Sequence, residues 1–457
     1  ALTLCDPAAD PGPFPGPSAW GPRHGPGGPA RSFDASELYT NCAYLSGGND
    51  DADHHNLVVP FDGYLLMPWA PEWGGGGLAL FDVSDPCAPV RVGSAFSRRM
   101  RESHSIGFST IGGRFAVVDQ ITGALVGGGI QFWDLADPTS PAPIADLELP
   151  GFLYPDAYAR VTISVFWQAP YVFVAGSDNG VYVVDATDPR APAHVATYRF
   201  DPVLRVGQVQ VIGNLLVATA AEGPRTVLLD VSRPTDPQPI AGGDFSAVDA
   251  TGAAVEAYFT NMQGGYVYYA RKSNGGGLMI MDIHDPSAPL YAGDLRSPDG
   301  NGGYVFVHHG YAFVGESHFA TIYDVRDPSS ITEVARLNLV GDLDTITPVG
   351  NVAVLSVDDE SVVDQASSVA PWATEPDARA PRVGWSWPAE GAIDLATTSR
   401  IGVSLDEMIE PLSAFEGSVR LYRTSAGPGS GRVPAVISAQ EHLVNVHPRC
   451  PLAPSTD

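Results

Sequence analysis

The sequence predicts an all-β protein, in which a seven-bladed β-propeller of four-stranded blades precedes a second, smaller β domain. Three observations predict it. An apolar run that ends in Asp recurs at intervals of roughly 40–50 residues, which is the spacing of propeller blades. A Gly-centred hairpin pattern lies upstream of each copy. The 50 Gly and 41 Pro residues are spread along the chain, and no long stretch has helical periodicity, so many short strands joined by tight turns are expected.

The recurrent phrase reads LMIMDIHDPSAP in the copy that contains Asp282. Its four leading apolar residues predict a strand that is buried on both faces. The Asp side chains can accept backbone N–H groups in the following turn, and Pro ends the strand because it has no N–H to donate. We therefore interpret the repeated aspartates as turn formers rather than catalytic groups. They are Asp82, Asp85, Asp134, Asp137, Asp185, Asp188, Asp230, Asp282, Asp285, Asp324 and Asp327. In the fourth copy Arg233-Pro234 replaces Asp-Pro, so a longer or irregular turn is expected there.

The propeller is expected over residues 49–370. The stretch from Asp344 contains two inner strands and a shortened third, which predicts a seventh, degenerate blade. An open ring leaves an unpaired strand edge. The partly irregular N-terminal arm, residues 1–48, is expected to close the ring, with residues 33–46 supplying the strand.

The phrase resembles the LVIVD-repeat family, whose members are β-propeller proteins found mostly at bacterial surfaces and in secreted multidomain proteins. The resemblance covers six phrases and about two thirds of the chain. That family has no common activity or catalytic motif. The resemblance therefore implies a fold and an extracytoplasmic location, secreted or at the bacterial cell surface, and it implies no site residues.

A different pattern follows a linker over residues 371–380. Residues 381–457 are similar to the bacterial Ig-like domain, although Leu405-Asp406 departs from its usual Phe-Ser. The matching residues are Pro388, Gly391, Ala392, Asp394, Met408, Pro411 and Ser413. The resemblance implies a C-terminal Ig-like β-sandwich, truncated because such domains normally continue with two further strands. We accordingly expect further C-terminal modules of the same polypeptide.

Charge and cysteine content restrict the partners and the compartment. The net charge of −27 repels nucleic acids and anionic membranes, and no apolar run is long enough to span a bilayer. The four cysteines, Cys5, Cys42, Cys87 and Cys450, include no C-x-x-C pair, which favours disulfides in an exported protein. Three pairings are open. Cys5–Cys42 is favoured because it would pin the N-terminal arm, and Cys450 is expected to pair with Cys87 or to stay unpaired.

The propeller axis is the usual place for a ligand. Aligned blades place one polar residue at the start of each innermost strand, and the residues predicted to line the channel are His55 (or His54), His104, Arg160, Arg205, Glu256, Asn301 and Asp342. Such a set can bind an anionic or metal-bridged ligand. The alternative is a water-filled channel lined by polar strand ends.

Two histidine-containing segments are candidate metal sites. NDDADHHN, residues 49–56, contains Asp51, Asp53, His54 and His55, where carboxylates suit Ca²⁺ and imidazoles suit Zn²⁺ or Cu²⁺. The alternative is an exposed acidic loop. His308-His309 lies at a predicted hairpin tip and can join a metal site only if folding brings an acid beside it. No cofactor is otherwise predicted.

Function is predicted by elimination. The chain has no G-x-S-x-G, no P-loop and no H-E-x-x-H. We therefore predict a non-enzymatic, protein-binding or assembly module, an accessory subunit of a larger extracytoplasmic complex with other protein chains as partners. One alternative is a metal-dependent hydrolase or lyase with His55, His104 and an acid in the channel. Another is a passive adhesin or spacer.

Overall fold

A computed structural model describes residues 31–45, 57–70, 75–121, 128–151, 162–272, 275–357, 367–424 and 431–454. The predictions for Cys5, Asp51, Asp53, His54, His55 and Arg160 lie outside these residues. Within them, no helix has the length and hydrophobicity needed to cross a bilayer.

Seven four-stranded antiparallel sheets form the blades. Strand β1 (Ala43–Leu45) belongs to the last of them. Blade 1 contains β2 (Val59–Phe61), β3 (Tyr64–Trp69), β4 (Gly76–Asp82) and β5 (Val90–Ser97). Blade 2 contains β6 (Ile106–Ser109), β7 (Phe115–Val118), β8 (Gly128–Asp134) and β9 (Ala142–Leu149). Blade 3 contains β10 (Ser164–Gln168), β11 (Tyr171–Ala175), β12 (Val181–Asp185) and β13 (Ala193–Tyr198). Blade 4 contains β14 (Val206–Ile212), β15 (Leu215–Ala220), β16 (Arg225–Asp230) and β17 (Gln238–Ser246).

Blades 5 to 7 follow the same order. Blade 5 contains β18 (Ala257–Gln263), β19 (Tyr266–Arg271), β20 (Gly276–Asp282) and β21 (Leu290–Ser297). Blade 6 contains β22 (Val305–His308), β23 (Tyr311–Gly315), β24 (Ala320–Asp324) and β25 (Thr332–Leu337), with a 3₁₀ turn at Pro328–Ser330. Blade 7 contains β26 (Leu343–Val349), β27 (Val352–Val357), β28 (Ser367–Pro371) and β1. The predicted all-β propeller is confirmed.

The third strand of each repeat is buried because its apolar residues pack between neighbouring sheets. In β20, Leu278, Met279 and Ile280 are fully buried. Met279 belongs to a core cluster shared with blades 3 and 4, whereas Leu278 and Ile280 pack with blade 6. Continuous apolar runs are therefore required, since both faces of the strand are covered.

The repeated aspartates form the turn after that strand. Each of the eleven accepts, through Oδ1, the backbone N–H of the residue two positions further on. In blade 5, Asp282 accepts from His284 and Asp285 accepts from Ser287, both at 2.9 Å. This is the Asx turn, in which the side chain satisfies an amide that the ladder leaves unpaired.

The turn of the fourth copy is not longer or irregular, so that prediction is wrong. It connects Asp230 to Gln238, the same length as the turn from Asp282 to Leu290 in blade 5. The carbonyl of Arg233 accepts the N–H of Asp236 (2.9 Å), as the carbonyl of Asp285 accepts that of Ala288 (3.0 Å). Because a backbone carbonyl closes the turn, Arg can replace the second Asp.

The N-terminal strand β1 is the outer strand of blade 7. It pairs antiparallel with β28, with Ala43 opposite Val369 and Leu45 opposite Ser367. The N–H of Cys42 also donates to the Val369 carbonyl (2.8 Å). The ring is therefore closed by residues from both ends of the propeller sequence.

A disulfide fastens this closure. Cys42 is bonded to Cys87, which follows Asp85-Pro86 in the turn of blade 1. The predicted Cys5–Cys42 pair is therefore wrong, because ring closure brings Cys42 beside the turn of blade 1 that holds Cys87. Cys450 is itself disulfide-bonded. Since Cys87 is taken by Cys42, both expectations for Cys450 are also wrong.

The C-terminal domain contains two further sheets. Its strands are β29 (Val383–Trp387), β30 (Ile401–Leu405), β31 (Leu421–Tyr422), β32 (Arg432–Val433), β33 (Ala435–Gln440) and β34 (Leu443–Pro448), with a 3₁₀ turn at Pro411–Ser413. The larger sheet has the order β29-β30-β34-β33, and β31 pairs with β32. Leu405, Ile409, Ile437 and Val444 form its core.

Candidate functional site

The C-terminal domain lies against one face of the propeller, where it contacts the turns that join the first two strands of five blades. Backbone N–H groups in these turns donate to it. The pairs are Asp62 to Glu410 (2.6 Å), Gly63 to Glu410 (2.9 Å), Ala169 to Ser438 (3.2 Å), Gly213 to Asn445 (2.7 Å), Gly264 to Ser404 (2.9 Å) and His309 to the Asp406 carbonyl (2.7 Å). We call these the ring turns. Burial of their amides requires such acceptors, because an unpaired buried amide is costly.

The hairpin of β33 and β34 enters the propeller axis from this face. Gln440 accepts from the Trp167 amide (3.1 Å) and donates to the Val165 carbonyl (2.9 Å). The ring of His442 contacts the Met262 carbonyl. Glu441 takes a positive φ of 58° between them, which turns the hairpin tip inwards. We call residues 440–442 the plug.

Glu441 is the acidic group of the plug. Its Oε2 accepts from Gln210 Nε2 (2.8 Å) and from Asn261 Nδ2 (2.6 Å), both on innermost strands. Burial raises the pKa of Glu441 to about 7, against the smaller opposing effect of the two amides. The carboxyl group therefore keeps its proton at pH values where an exposed Glu is ionised.

The plug and the propeller enclose a small cavity on the axis. Its lining includes His104, Thr260 and Tyr304 from the blades, and Met408 and Glu441 from the C-terminal domain. Its volume is about 20 Å³, which holds about one water molecule. Small-molecule sites are typically several hundred Å³, so this cavity has no room for such a ligand.

His104 is held in a buried charge cluster beside the cavity. Its Nε2 lies 2.7 Å from Glu102 Oε1, and its Nδ1 lies 3.3 Å from Asp119 Oδ2. Burial opposes the charged ring, but the two carboxylates together raise the pKa of His104 well above its ordinary value. The ring also stacks on Phe259, at 5.7 Å between centroids. Gln120 Nε2 also lies 3.0 Å from Nδ1, so side chains of the blade itself occupy both ring nitrogens.

The other predicted channel residues lie where the innermost strands begin, at the opposite end from the ring turns. Arg205 is partly exposed and pairs with Asp178 (3.3 Å). Glu256 and Asp342 are exposed, and Asn301 is exposed while donating to Ser317 (3.4 Å). Of the predicted channel residues that the structure describes, His104 borders the cavity and these four lie on the surface. His55 and Arg160 are outside the described residues.

A second titratable cluster lies between the two domains. His308 ends the first strand of blade 6 and His309 begins the turn that follows. Folding brings two acids beside them, Asp377 from the linker and Glu407 from the segment after β30. The four side chains offer ligand atoms that all lie within 4.8 Å of one another. The sequence identified the histidine pair and the condition for a site. The two acids could not be found from it, because they are distant in sequence and lie in the linker and in the C-terminal domain.

Comparison with known families agrees with the order of the two domains. Residues 163–199, 261–295 and 299–338 match the LVIVD repeat, and residues 377–457 match a bacterial Ig-like domain. Both predicted resemblances are confirmed. No curated protein matches the chain at a significant level.

Solved structures show the same fold. The WD40 propeller domain of Doa1 is 12% identical, with a TM-score of 0.51 over 72% of this chain and 96% of that one. A protein from Lactobacillus plantarum is 11% identical, with a TM-score of 0.50 over 62% of this chain and 84% of that one. At such identities the likeness shows the fold alone.

Proposed function

Because the chain carries LVIVD repeats followed by a bacterial Ig-like domain, we propose that it is a non-enzymatic, extracytoplasmic module that binds another protein. The partner binds the propeller face opposite the Ig-like domain, which we call the open face. The module acts as an assembly element or accessory subunit of a larger complex.

The observation that carries this proposal is the position of the Ig-like domain. It covers the ring turns, and its plug fills the axis down to a cavity of about 20 Å³. The contact surface left on the propeller is the open face, formed by the connections between blades. Among the described residues of these connections, Val203 (65%) and Val340 (58%) are exposed apolar side chains. They offer apolar area that a partner protein can bury.

Charge determines the kind of partner. The chain has 52 acidic and 25 basic residues, so a partner with a strongly acidic surface is repelled at long range. A neutral or basic protein surface is favoured, and its association should weaken as salt screens the attraction.

The extracytoplasmic location is supported by the disulfides. Cys42 and Cys87 are bonded, and Cys450 is bonded as well. Disulfides persist in oxidising compartments and are rare in the cytosol. This fits the presence of a bacterial Ig-like domain.

A matched pair of variants tests the proposal. The immobilised protein is used to capture partners from the extracytoplasmic fraction of its native cells. Val203→Asp changes the open face, and Leu290→Asp changes the outer strand of blade 5 with the same exposure of 65%. We expect Leu290→Asp to retain the partner and Val203→Asp to lose most of it. Equal retention by both variants, or no specific partner, would overturn the proposal and favour a passive spacer.

A further inference from the structure

The cluster of His308, His309, Asp377 and Glu407 has the composition and spacing of a metal site. Two imidazoles and two carboxylates converge, with all ligand atoms within 4.8 Å of one another. In a tetrahedral zinc site with bonds of about 2.0–2.1 Å, neighbouring ligand atoms lie about 3.3 Å apart. Small inward rotations of the side chains therefore suffice to reach that geometry.

The cluster brings two buried carboxyl groups to one imidazole nitrogen. His309 Nε2 contacts both Asp377 Oδ2 (2.6 Å) and Glu407 Oε2 (2.8 Å), and all four side chains are at most 7% exposed. A single ring nitrogen carries at most one proton for these two buried carboxyl groups. The nearby cation is Arg379, whose Nε lies 4.0 Å from Asp377 on a side chain that is 64% exposed. A divalent ion with two neutral imidazoles would balance the carboxylates.

His308 provides a second, independent sign of a ligand. Its Nε2 is buried and has no hydrogen-bond partner among the described residues. Asp377 Oδ2, at 3.7 Å, is too far away. Its Nδ1 accepts from the Met408 amide at 3.2 Å, the long limit for such a bond. Coordination through Nε2 would move the ring proton to Nδ1, so the Met408 amide, now facing another donor, would have to shift away from that nitrogen.

The backbone at His309 has a positive φ, which few non-glycine residues adopt. It has a φ of 51° at the first position of a two-residue turn. The same position holds Asp62, Gly213, Gly264 and Gly350 in blades 1, 4, 5 and 7, with φ between 49° and 61°. Glycine takes this region freely, and Asp and His are among the few other residue types enriched there. Blade 6 therefore places a ligand-bearing side chain where its neighbours need only a turn former.

The donor set selects the class of ion. Two nitrogens and two carboxylate oxygens suit Zn²⁺ and similar divalent transition metals. Ca²⁺ takes six to eight oxygen ligands, and Mg²⁺ prefers octahedral oxygen and water. We propose that His308, His309, Asp377 and Glu407 bind one Zn²⁺ ion, which fastens the Ig-like domain and the linker to blade 6.

Zinc binding to the full chain tests this. The protein is stripped with chelator, dialysed and titrated with ZnCl₂, with the metal content measured after gel filtration. We expect one Zn²⁺ per chain and a raised melting temperature. His309→Asn keeps a residue that tolerates the turn, and Glu407→Gln keeps the size of the side chain. Both should reduce affinity at least about tenfold. His284→Asn, an exposed histidine on another turn, should bind as the wild type does.

Two further measurements keep the proposal falsifiable even if a variant fails to fold. Co²⁺ added to the wild-type protein should give the intense visible absorption of a tetrahedral site and should be displaced by Zn²⁺. The double variant His54→Asn/His55→Asn, which changes the other candidate metal segment, should still bind one Zn²⁺ ion. The proposal is overturned if no stoichiometric metal binds, if the Co²⁺ spectrum is octahedral, or if binding is lost in the His54/His55 variant and kept in Glu407→Gln. These outcomes are independent of whether a protein partner is found.

Discussion

Glu441, at the tip of the plug, accepts a hydrogen bond from Asn261 on the innermost strand of blade 5 at 2.6 Å. This contact joins two positions that are 180 residues apart in the chain. It places an ionisable group of the Ig-like domain on the propeller axis, beside the small cavity. Docking of the two domains is therefore coupled to the protonation of this carboxyl group.

The first prediction concerns pH. The pKa of Glu441 rises from 4.5 to about 7 on folding, so the folded protein holds a proton that the unfolded chain releases. This proton stabilises the folded state fully below pH 4.5, and its contribution to the free energy of unfolding is lost as the pH rises through 7. Glu441→Gln should therefore be more stable than the wild type at pH 8, by roughly 3 kcal/mol at most. The difference should vanish near pH 4.5.

Chemical unfolding across pH 4.5–8 measures this difference. Glu390→Gln, on an exposed residue of the same domain, is the control and should follow the wild type at every pH. A difference that is the same at pH 4.5 and pH 8 would show that Glu441 does not titrate in this range.

A second prediction concerns the close approach of the two domains. A Cβ added at Gly402 would lie 2.3 Å from the Gly213 amide nitrogen, which donates to Asn445. Gly402→Ala should therefore separate strand β30 from the ring turn and cost about 2–3 kcal/mol of stability. It should also expose the linker to limited proteolysis. At Gly384 the nearest atom would be 3.7 Å away, so Gly384→Ala should be nearly neutral. If Gly402→Ala and Gly384→Ala are cleaved at equal rates, the two domains are not tightly docked at strand β30.

A third prediction concerns ring closure. Cys42→Ser/Cys87→Ser removes a crosslink over 45 residues and should lower the free energy of unfolding by about 2–4 kcal/mol. Because Cys42 directly precedes β1, amide exchange in β1 and β28 should increase more than exchange in blade 4. A uniform increase across all blades would contradict a local role for the disulfide.

A fourth prediction concerns the charge cluster at His104. His104→Ala leaves Glu102 and Asp119 buried without the imidazole, which should cost about 3–5 kcal/mol. Glu102→Gln/His104→Phe/Asp119→Asn removes all three charges and should recover a large part of that loss. If the triple variant is as unstable as His104→Ala, loss of packing rather than of charge is responsible.

The sequence was sufficient for the blades because their signals are local. The apolar run of β20, Asp282 and Asp285 lie within a few residues of one another, and each determines its own strand or turn. The disulfide depends instead on ring closure, which brings Cys42 next to Cys87 only when β1 joins β28. The pair Cys5–Cys42, favoured because it would pin the N-terminal arm, was therefore wrong.

The site was less predictable from the sequence, because its residues come together only when distant parts of the chain fold against one another. His104 could be placed near the axis because it precedes the innermost strand of blade 2. Its partners Glu102 and Asp119 were missed, since neither belongs to the repeated pattern. The plug was missed too, because Gln440 and Glu441 have no motif, and their role depends on how a second domain docks.

Amide hydrogen exchange at the ring turns tests the central claim, that the Ig-like domain covers this face of the propeller and fills its axis. The amides of Gly63, Gly213 and Gly264 would point to solvent in an uncovered propeller. With the Ig-like domain docked, they donate to Glu410, Asn445 and Ser404. We predict that they exchange at least about a thousandfold more slowly than in an unstructured chain. Exchange within about tenfold of the unstructured rate would contradict the account.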